Sequence, residues 1–258
     1  METETSQGSK KKDFWDRKAR TFPRFEEGED TYEAGMLNRI REHGVDFRDA
    51  TVLDVGCGSG MYTIRLAREA KQVTAVDISD TMLDILRQDA EEQGLGNIDY
   101  VRSEWMDFDS DATFDIVFCS MTPAIQDDES RFKLLSHAGR WTVFMGFDGV
   151  MNSDIMTGLY AHYGVTPRKF VNGTEMRHWL DSHAIPYTRY PIEGTWVTPK
   201  NLEMRMDGAA TFLSQYGVTA DQDHLERYMA RFEEEPGVYV EHTDYKIDLL
   251  IWENRADA

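Results

Sequence analysis

Thr51-Val52-Leu53-Asp54-Val55-Gly56-Cys57-Gly58-Ser59-Gly60 is the stretch that decides how this chain folds. Thr51 to Val55 read as a short, mostly apolar strand that stops at alternating glycines. Residues 59–70 then carry apolar groups at helical spacing, so the glycines sit in a strand-to-helix turn. Glycine lets a backbone turn this sharply and lets a ligand come close to it. The first such turn of an open parallel sheet is where nucleotides bind. The spacing is G-x-G-x-G. Position 61 is Met, so the dinucleotide fingerprint G-x-G-x-x-G is not met, and no Gly-Lys-[Ser/Thr] ending follows to make a phosphate loop.

Working outward, Gln72 to Val76 read as a second strand. Asp77 closes it, 21 residues after Gly56, where a carboxylate can accept both hydroxyls of a ribose. Ser79, Asp80 and Thr81 are natural caps for a helix whose apolar face is Met82, Leu83, Ile85, Leu86 and Ala90. Further strands are predicted at Ile98 to Val101, Phe114 to Cys119, Trp141 to Met145, and near 186–193 and 245–252. Helices are predicted over 128–138, 152–163 and 174–183. This alternation implies an α/β fold, a mostly parallel sheet with helices on both faces. Residues 200–235 break it. Leu202, Met206, Ala209, Ala210, Leu213 and Tyr216 keep helical spacing, as do Leu225, Tyr228, Met229 and Phe232. They read as an inserted helical pair, either packed on the core or serving as a lid.

The chain has 258 residues, with 28 Lys+Arg against 47 Asp+Glu and a net charge of −19. That balance argues against a nucleic-acid partner, which needs clustered basic residues, and against docking on anionic lipid. Residues 99–129 hold nine acids and one base, and residues 221–244 hold eight acids and two bases. An acidic rim of this kind suits neutral or cationic acceptors. Two cysteines, Cys57 and Cys119, exclude a disulfide framework and point to a reducing compartment, by default the cytoplasm. No apolar run is long enough to span a bilayer, and Met1-Glu2-Thr3-Glu4 lacks a signal pattern. Residues 1–12 are polar and end in three lysines, so they are expected to be a disordered tail, followed by a single domain over 13–258. No His/Cys/Asp/Glu cluster has metal spacing, and no metal is expected.

Val52 to Gly60, with Val73-Thr74-Ala75-Val76-Asp77-Ile78-Ser79, resembles the class I methyltransferases that use S-adenosylmethionine (SAM). The resemblance covers about residues 14–145 well and the final strand pair more loosely. It implies a Rossmann-like, doubly wound sheet of seven strands, the last antiparallel, with a helical lid insertion at about 198–236. It implies SAM as cofactor, with Asp54, Gly56, Cys57, Gly58 and Gly60 beneath its methionine part and Asp77 on the ribose diol. Ile78 would flank the adenine. Glu104 would meet the adenine amino group, with Asp107 as runner-up, and Trp105 would lie against the base. Cys119 would border the sulfonium. The stretch Cys119-Ser120-Met121-Thr122-Pro123-Ala124 departs from the Asn-Pro-Pro-Tyr type of amino-group methylases.

The resemblance thus implies methyl transfer from SAM to a small-molecule acceptor by in-line displacement, in a monomer or homodimer. Such chemistry rests on positioning, so sequence singles out no catalytic residue; Met121 and Tyr160 are the candidates. The segment Phe14 to Phe22, with Trp15 and Phe22, resembles an aromatic leader helix that closes over SAM. Acceptor-side candidates are Trp15, Phe22, Met121, Thr122 and Trp196. Two alternatives stay open from the residues alone: a non-catalytic SAM-binding partner protein, and a nicotinamide-dependent oxidoreductase.

Overall fold

β1 (Thr51–Val55) is buried from its second residue onward and pairs in parallel on both sides, with β2 (Gln72–Asp77) and with β4 (Phe114–Ser120). A strand enclosed in this way must be apolar on both faces, which is why Val52, Leu53 and Val55 run without alternation. β2 pairs in parallel with β3 (Ile98–Arg102), and β4 with β5 (Ala138–Ser153). The full order is β3-β2-β1-β4-β5-β8-β6, with β6 at Thr188–Lys200 and β8 at Val238–Glu253. The short β7 (Glu233–Glu235) pairs antiparallel with β8. The strand order turns around between β1 and β4, and this switch point opens a crevice at their carboxyl ends. The computed structural model describes residues 2–254.

α2 (Tyr32–His43), which the sequence reading did not predict, buries Ala34, Met36, Leu37 and Ile40. The helices after β1 follow the predicted spacing closely. α4 (Asp80–Glu92) starts at its Ser79 cap and buries Met82, Leu83, Leu86 and Ala90. α5 (Asp128–His137), α6 (Asp154–Tyr163) and α7 (Asn172–Ser182) match three predicted helices within two residues at each end. α3 (Thr63–Ala67) is shorter than the predicted 59–70, because the glycine turn and its exit consume the first residues. α8 (Leu202–Ser214) and α9 (Gln222–Met229) form the predicted pair.

Two expectations are corrected. Residues 2–12 are not a loose tail but the start of α1 (Glu2–Ala19); Met1 lies outside the described residues. The ordering is electrostatic rather than apolar. Lys12 lies 2.6 Å from Asp16 one turn on and 3.0 Å from Asp80, and Lys11 pairs with Glu104. The sheet keeps the expected seven strands along its path, and Glu233 to Glu235, within the predicted helical insertion, add a short eighth beside β8. The chain also divides into two compact units rather than one domain. Unit 1 is Met1–Gly146, Asn172–Tyr190 and Asp248–Ala258; unit 2 is Phe147–Val171 and Pro191–Ile247. The division falls inside β5, β6 and β8, so no linker composition marks it in the sequence.

Unit 2 has its own core of Ile155, Leu159, Leu213, Leu225 and Met229, to which α6, α8 and α9 all contribute. The apolar stripes of the inserted pair are therefore packing stripes. Arg205, 5% exposed, is held there by Tyr239 O, the Thr198 hydroxyl and the Glu241 carboxylate. In unit 1, Asp248 is fully buried and accepts from Arg177 and Arg189, each at 2.7 Å. Removing one partner of such a buried network leaves its charges uncompensated. Asp248→Ala is expected to destabilise the fold by about 3 kcal/mol in denaturant unfolding; a loss under 1 kcal/mol would show the network to be ornamental.

Candidate active site

The three glycines hold the turn in left-handed backbone, at φ 69°, 55° and 86° for Gly56, Gly58 and Gly60. Two of them also lack room for a side chain. A Cβ on Gly56 would lie 2.2 Å from the Thr122 hydroxyl, and one on Gly60 would lie 2.1 Å from a Leu86 methyl. Gly58 differs. A Cβ there would meet only Phe22, at 3.6 Å, so its face is covered by the leader segment alone. The turn is anchored because the Gly56 and Cys57 amides donate to Val76 O at 2.8 and 3.1 Å.

That anchoring brings the end of β2 to the glycines. Asp77 accepts from the Gly58 amide at 2.9 Å through one carboxylate oxygen and from the Ser79 amide at 2.9 Å through the other. Burial pushes its carboxyl up, against the pull of those amides. A desolvated carboxylate with two oxygens at a glycine turn is chemically matched to a vicinal diol, which supplies two donors. Asp54, 2% exposed, accepts from the Thr63 hydroxyl at 2.6 Å and braces the turn from below. Burial, with the nearby Asp77 charge, pushes it up to about 7. Ile78 is half-buried between Asp77 and the cap of α4.

The leader closes on this turn from the chain's other end. Phe22 stands edge-on to Trp15, with ring centres 6.4 Å apart. The Asp16 carboxylate accepts from the Ser79 hydroxyl at 2.6 Å and the Thr81 amide at 3.3 Å. Ser59, buried in the turn, donates its hydroxyl to Pro23 O at 2.6 Å. Lys11 on α1 reaches Glu104, so the predicted adenine carboxylate lies under the leader too. At the end of β4, Met121 takes a left-handed backbone, φ 49°, rare for a side-chain-bearing residue and typical of functional sites. Its amide donates to Met145 O at 2.8 Å. Thr122 is buried against Gly56.

The structure thus gathers Phe22, Asp54, Gly56, Gly58, Asp77 and Thr122 around one turn. Other expectations change. Trp105 does not lie open to a base: it is 2% exposed, stacks on Phe108 and donates its indole N–H to Ser130 O at 3.0 Å. Its face and its donor are both spent in the core, and sequence shows only an aromatic residue in the right loop. Cys119 is fully buried, and burial pushes its thiol well up, so it packs the sheet rather than bordering a ligand. Cys57 is half-buried with its thiol likewise raised. Trp196 and Tyr160 belong to unit 2. There Trp196 stacks on Tyr245, and Tyr160 hydrogen-bonds Tyr216 with its phenol pushed up by burial, which disfavours a role as base. Among the described residues no group of three or more His, Cys, Asp or Glu could hold a metal. Sequence reading passed over Asp16 and Ser59. Nothing in their spacing separates them from ordinary surface or core positions.

Residues 52–145 match a family model described as "Methyltransferase domain". The magnesium-protoporphyrin O-methyltransferase of Rhodobacter capsulatus is 37% identical over 90 residues, covering 29% of this chain and 39% of that one. Thus less than half of that relative's length is matched. A ubiquinone biosynthesis O-methyltransferase of Coxiella burnetii is 27% identical over 169 residues, 57% of this chain and 70% of that one. The crystal structure of magnesium protoporphyrin IX methyltransferase from Synechocystis PCC 6803, with bound S-adenosylhomocysteine (SAH), superposes with a TM-score of 0.54 at 16% identity. That match covers 94% of this chain and 98% of the other and shows a shared fold.

Asp54 gives the turn a pH signature. Its folded pKa lies above its unfolded value, so the stability it contributes is present below about pH 4 and lost as pH rises to about 7. Asp54→Asn is expected to flatten the fall in melting temperature across that window in ligand-free protein; an unchanged slope would contradict the assignment. Residues 52–145, built on this glycine turn and its acidic partner, are thus similar to a methyltransferase domain.

Proposed function

We propose that this chain binds SAM across the Gly56–Gly60 turn and transfers its methyl group to a small-molecule acceptor. The observation that carries the reading is the Asp77 carboxylate, fixed by the Gly58 and Ser79 amides where the glycine turn meets the end of β2. Asp77 would take the two ribose hydroxyls, exchanging its Gly58 contact for stronger donors. Gly56, Gly58 and Gly60 would lie beneath the methionine part, with Asp54 as their brace rather than a direct ligand. Glu104, freed from Lys11, would reach the adenine. Ile78 would border the same ring.

SAM supplies an electrophilic methyl carbon on a sulfonium. The chain's own task is to align the acceptor with that carbon and keep water away. Alignment of this kind can lower a barrier by about 7–11 kcal/mol. The acceptor oxygen would bond to the methyl carbon as the carbon–sulfur bond breaks and SAH leaves; a carboxylate acceptor has no proton to lose, and a hydroxyl acceptor would release its proton to solvent. The leader is suited to excluding water, because Phe22, with Trp15 edge-on to it, covers Gly58 while Asp16 and Ser59 tie the segment down. The relatives' names specify oxygen acceptors, magnesium-protoporphyrin in one and an intermediate of ubiquinone biosynthesis in the other. An oxygen acceptor is accordingly favoured here. Among the described residues no helix is long and apolar enough to cross a membrane. The excess of acidic groups in residues 99–129 and 221–244 would disfavour polyanionic acceptors.

Calorimetry should show SAH binding, and Asp77→Ala should weaken it roughly 100-fold, about 3 kcal/mol for two charge-assisted hydrogen bonds. Unchanged affinity would remove Asp77 from the cofactor. Incubation with methyl-labelled SAM and a pool of small metabolites should place label on a low-molecular-weight oxygen compound. Label found only on protein or nucleic acid would overturn the small-molecule reading.

A further inference from the structure

Tyr62 and Ser120 have no part in the cofactor site described above. Tyr62 follows Gly60 by two residues and is 5% exposed. Its ring lies 5.1 Å from that of Phe118 on β4, tilted by 49°. Its hydroxyl stands 3.8 Å from the Met145 sulfur, a weak acceptor. Met145 on β5 is the register partner of Ser120, the last residue of β4. The phenol therefore sits beside the carboxyl end of β4 and the middle of β5, next to the switch point, where ligands of such sheets bind. The Ser120 hydroxyl is close by and buried, yet makes no hydrogen bond of full geometry among the described residues. The next residue is the left-handed Met121. Buried hydroxyls without strong partners are costly, and strained backbone beside them is typical of sites that a ligand completes.

We propose that the Tyr62 and Ser120 hydroxyls form the oxygen-binding end of the acceptor site, with Tyr62 holding the acceptor's nucleophilic oxygen in position. The proposal rests on the methyl-transfer reading. Burial pushes the Tyr62 phenol well above its ordinary range, and Tyr32, Glu33 and Asp54 push it further. It therefore stays protonated and acts as a donor, not as a base. A neutral donor in this place complements the lone pairs of a hydroxyl or carboxyl oxygen. It offers nothing to an ammonium, which has none. Glu33, half-buried on α2 and itself raised by burial, and Asp54 are the acidic groups that act on the phenol, against a smaller pull from the Ser120 hydroxyl.

The test uses the full chain saturated with SAH, with catechol as the oxygen probe and benzylamine, an ammonium at neutral pH, as the nitrogen probe, followed by ligand-observed NMR. Catechol should bind more tightly than benzylamine. Tyr62→Phe keeps the ring against Phe118 and Met145 and should weaken catechol about tenfold, the scale of one hydrogen bond. Benzylamine binding, SAH affinity and melting temperature should stay at wild-type values. Ser120→Ala should weaken catechol several-fold by the same measure and serves if Tyr62→Phe fails to fold. A wild-type SAH complex that does not prefer catechol, or variants that keep the preference, would overturn the proposal. Failure of the wild-type chain to bind SAH would instead overturn the methyl-transfer reading beneath it.

Discussion

The constraint on which the structure depends is the tight turn between β1 and α3. β1 lies between β2 and β4, so its chain must leave the sheet through a gap already bounded by Val76 and Thr122. The Gly56 and Cys57 amides answer to Val76 O, while the Thr122 hydroxyl and a Leu86 methyl fill the volumes a Cβ would need at Gly56 and Gly60. Left-handed backbone at three alternating positions is the solution, and only glycine adopts it there without strain or collision. Once the turn is made, the Gly58 amide points at Asp77, and the acidic end of β2 is committed to the same place.

Around that turn the polar groups are arranged in tiers. Asp54 is sealed beneath, answered by Thr63. Asp77 is desolvated but still served by two amides. Asp16 and Glu104 lie outermost, in contact with hydroxyl, amide or lysine groups. The consequence is a gradient from a carboxyl that burial drives toward neutrality, Asp54, to one that Lys12 and the Ser79 hydroxyl hold ionised, Asp16, within one small region of a strongly acidic chain. The lysines of α1 matter in that setting. They bring positive charge to a rim whose own stretch, 99–129, carries nine acids and one base.

Unit 2 obeys a different economy of space. Its helices have a small apolar core, and its buried cation Arg205 is fully answered by a carboxylate, a hydroxyl and a carbonyl. Gly158 makes room for the Tyr228 hydroxyl, which donates to Ile155 O at 2.9 Å. These are devices for fixing a helical unit in one arrangement, and they account for the apolar stripes of α8 and α9 by packing alone.

Sequence by itself determined the strand and helix order from β1 onward, the glycine turn and Asp77 as its partner. Each of these is written in local spacing: uninterrupted apolar runs for enclosed strands, the i, i+3, i+4 face of α4, and glycines where backbone must turn. Tertiary structure alone decided what the spacing leaves open. Trp105 and an adenine-facing aromatic look identical in sequence, and only three-dimensional packing turned this one inward to Phe108 and Ser130. Residues 2–12 carry no apolar face, so their helix is legible only through the distant carboxylates that hold it, Asp80 and Glu104. The two units share three continuous strands, and a division inside a strand leaves no trace in composition. Tyr62 stands within a helical apolar pattern, and its place beside Ser120 exists only because β4 and β5 pair in that register. Short-range spacing fixes which element a residue joins; long-range contacts fix which way it faces and what it meets there.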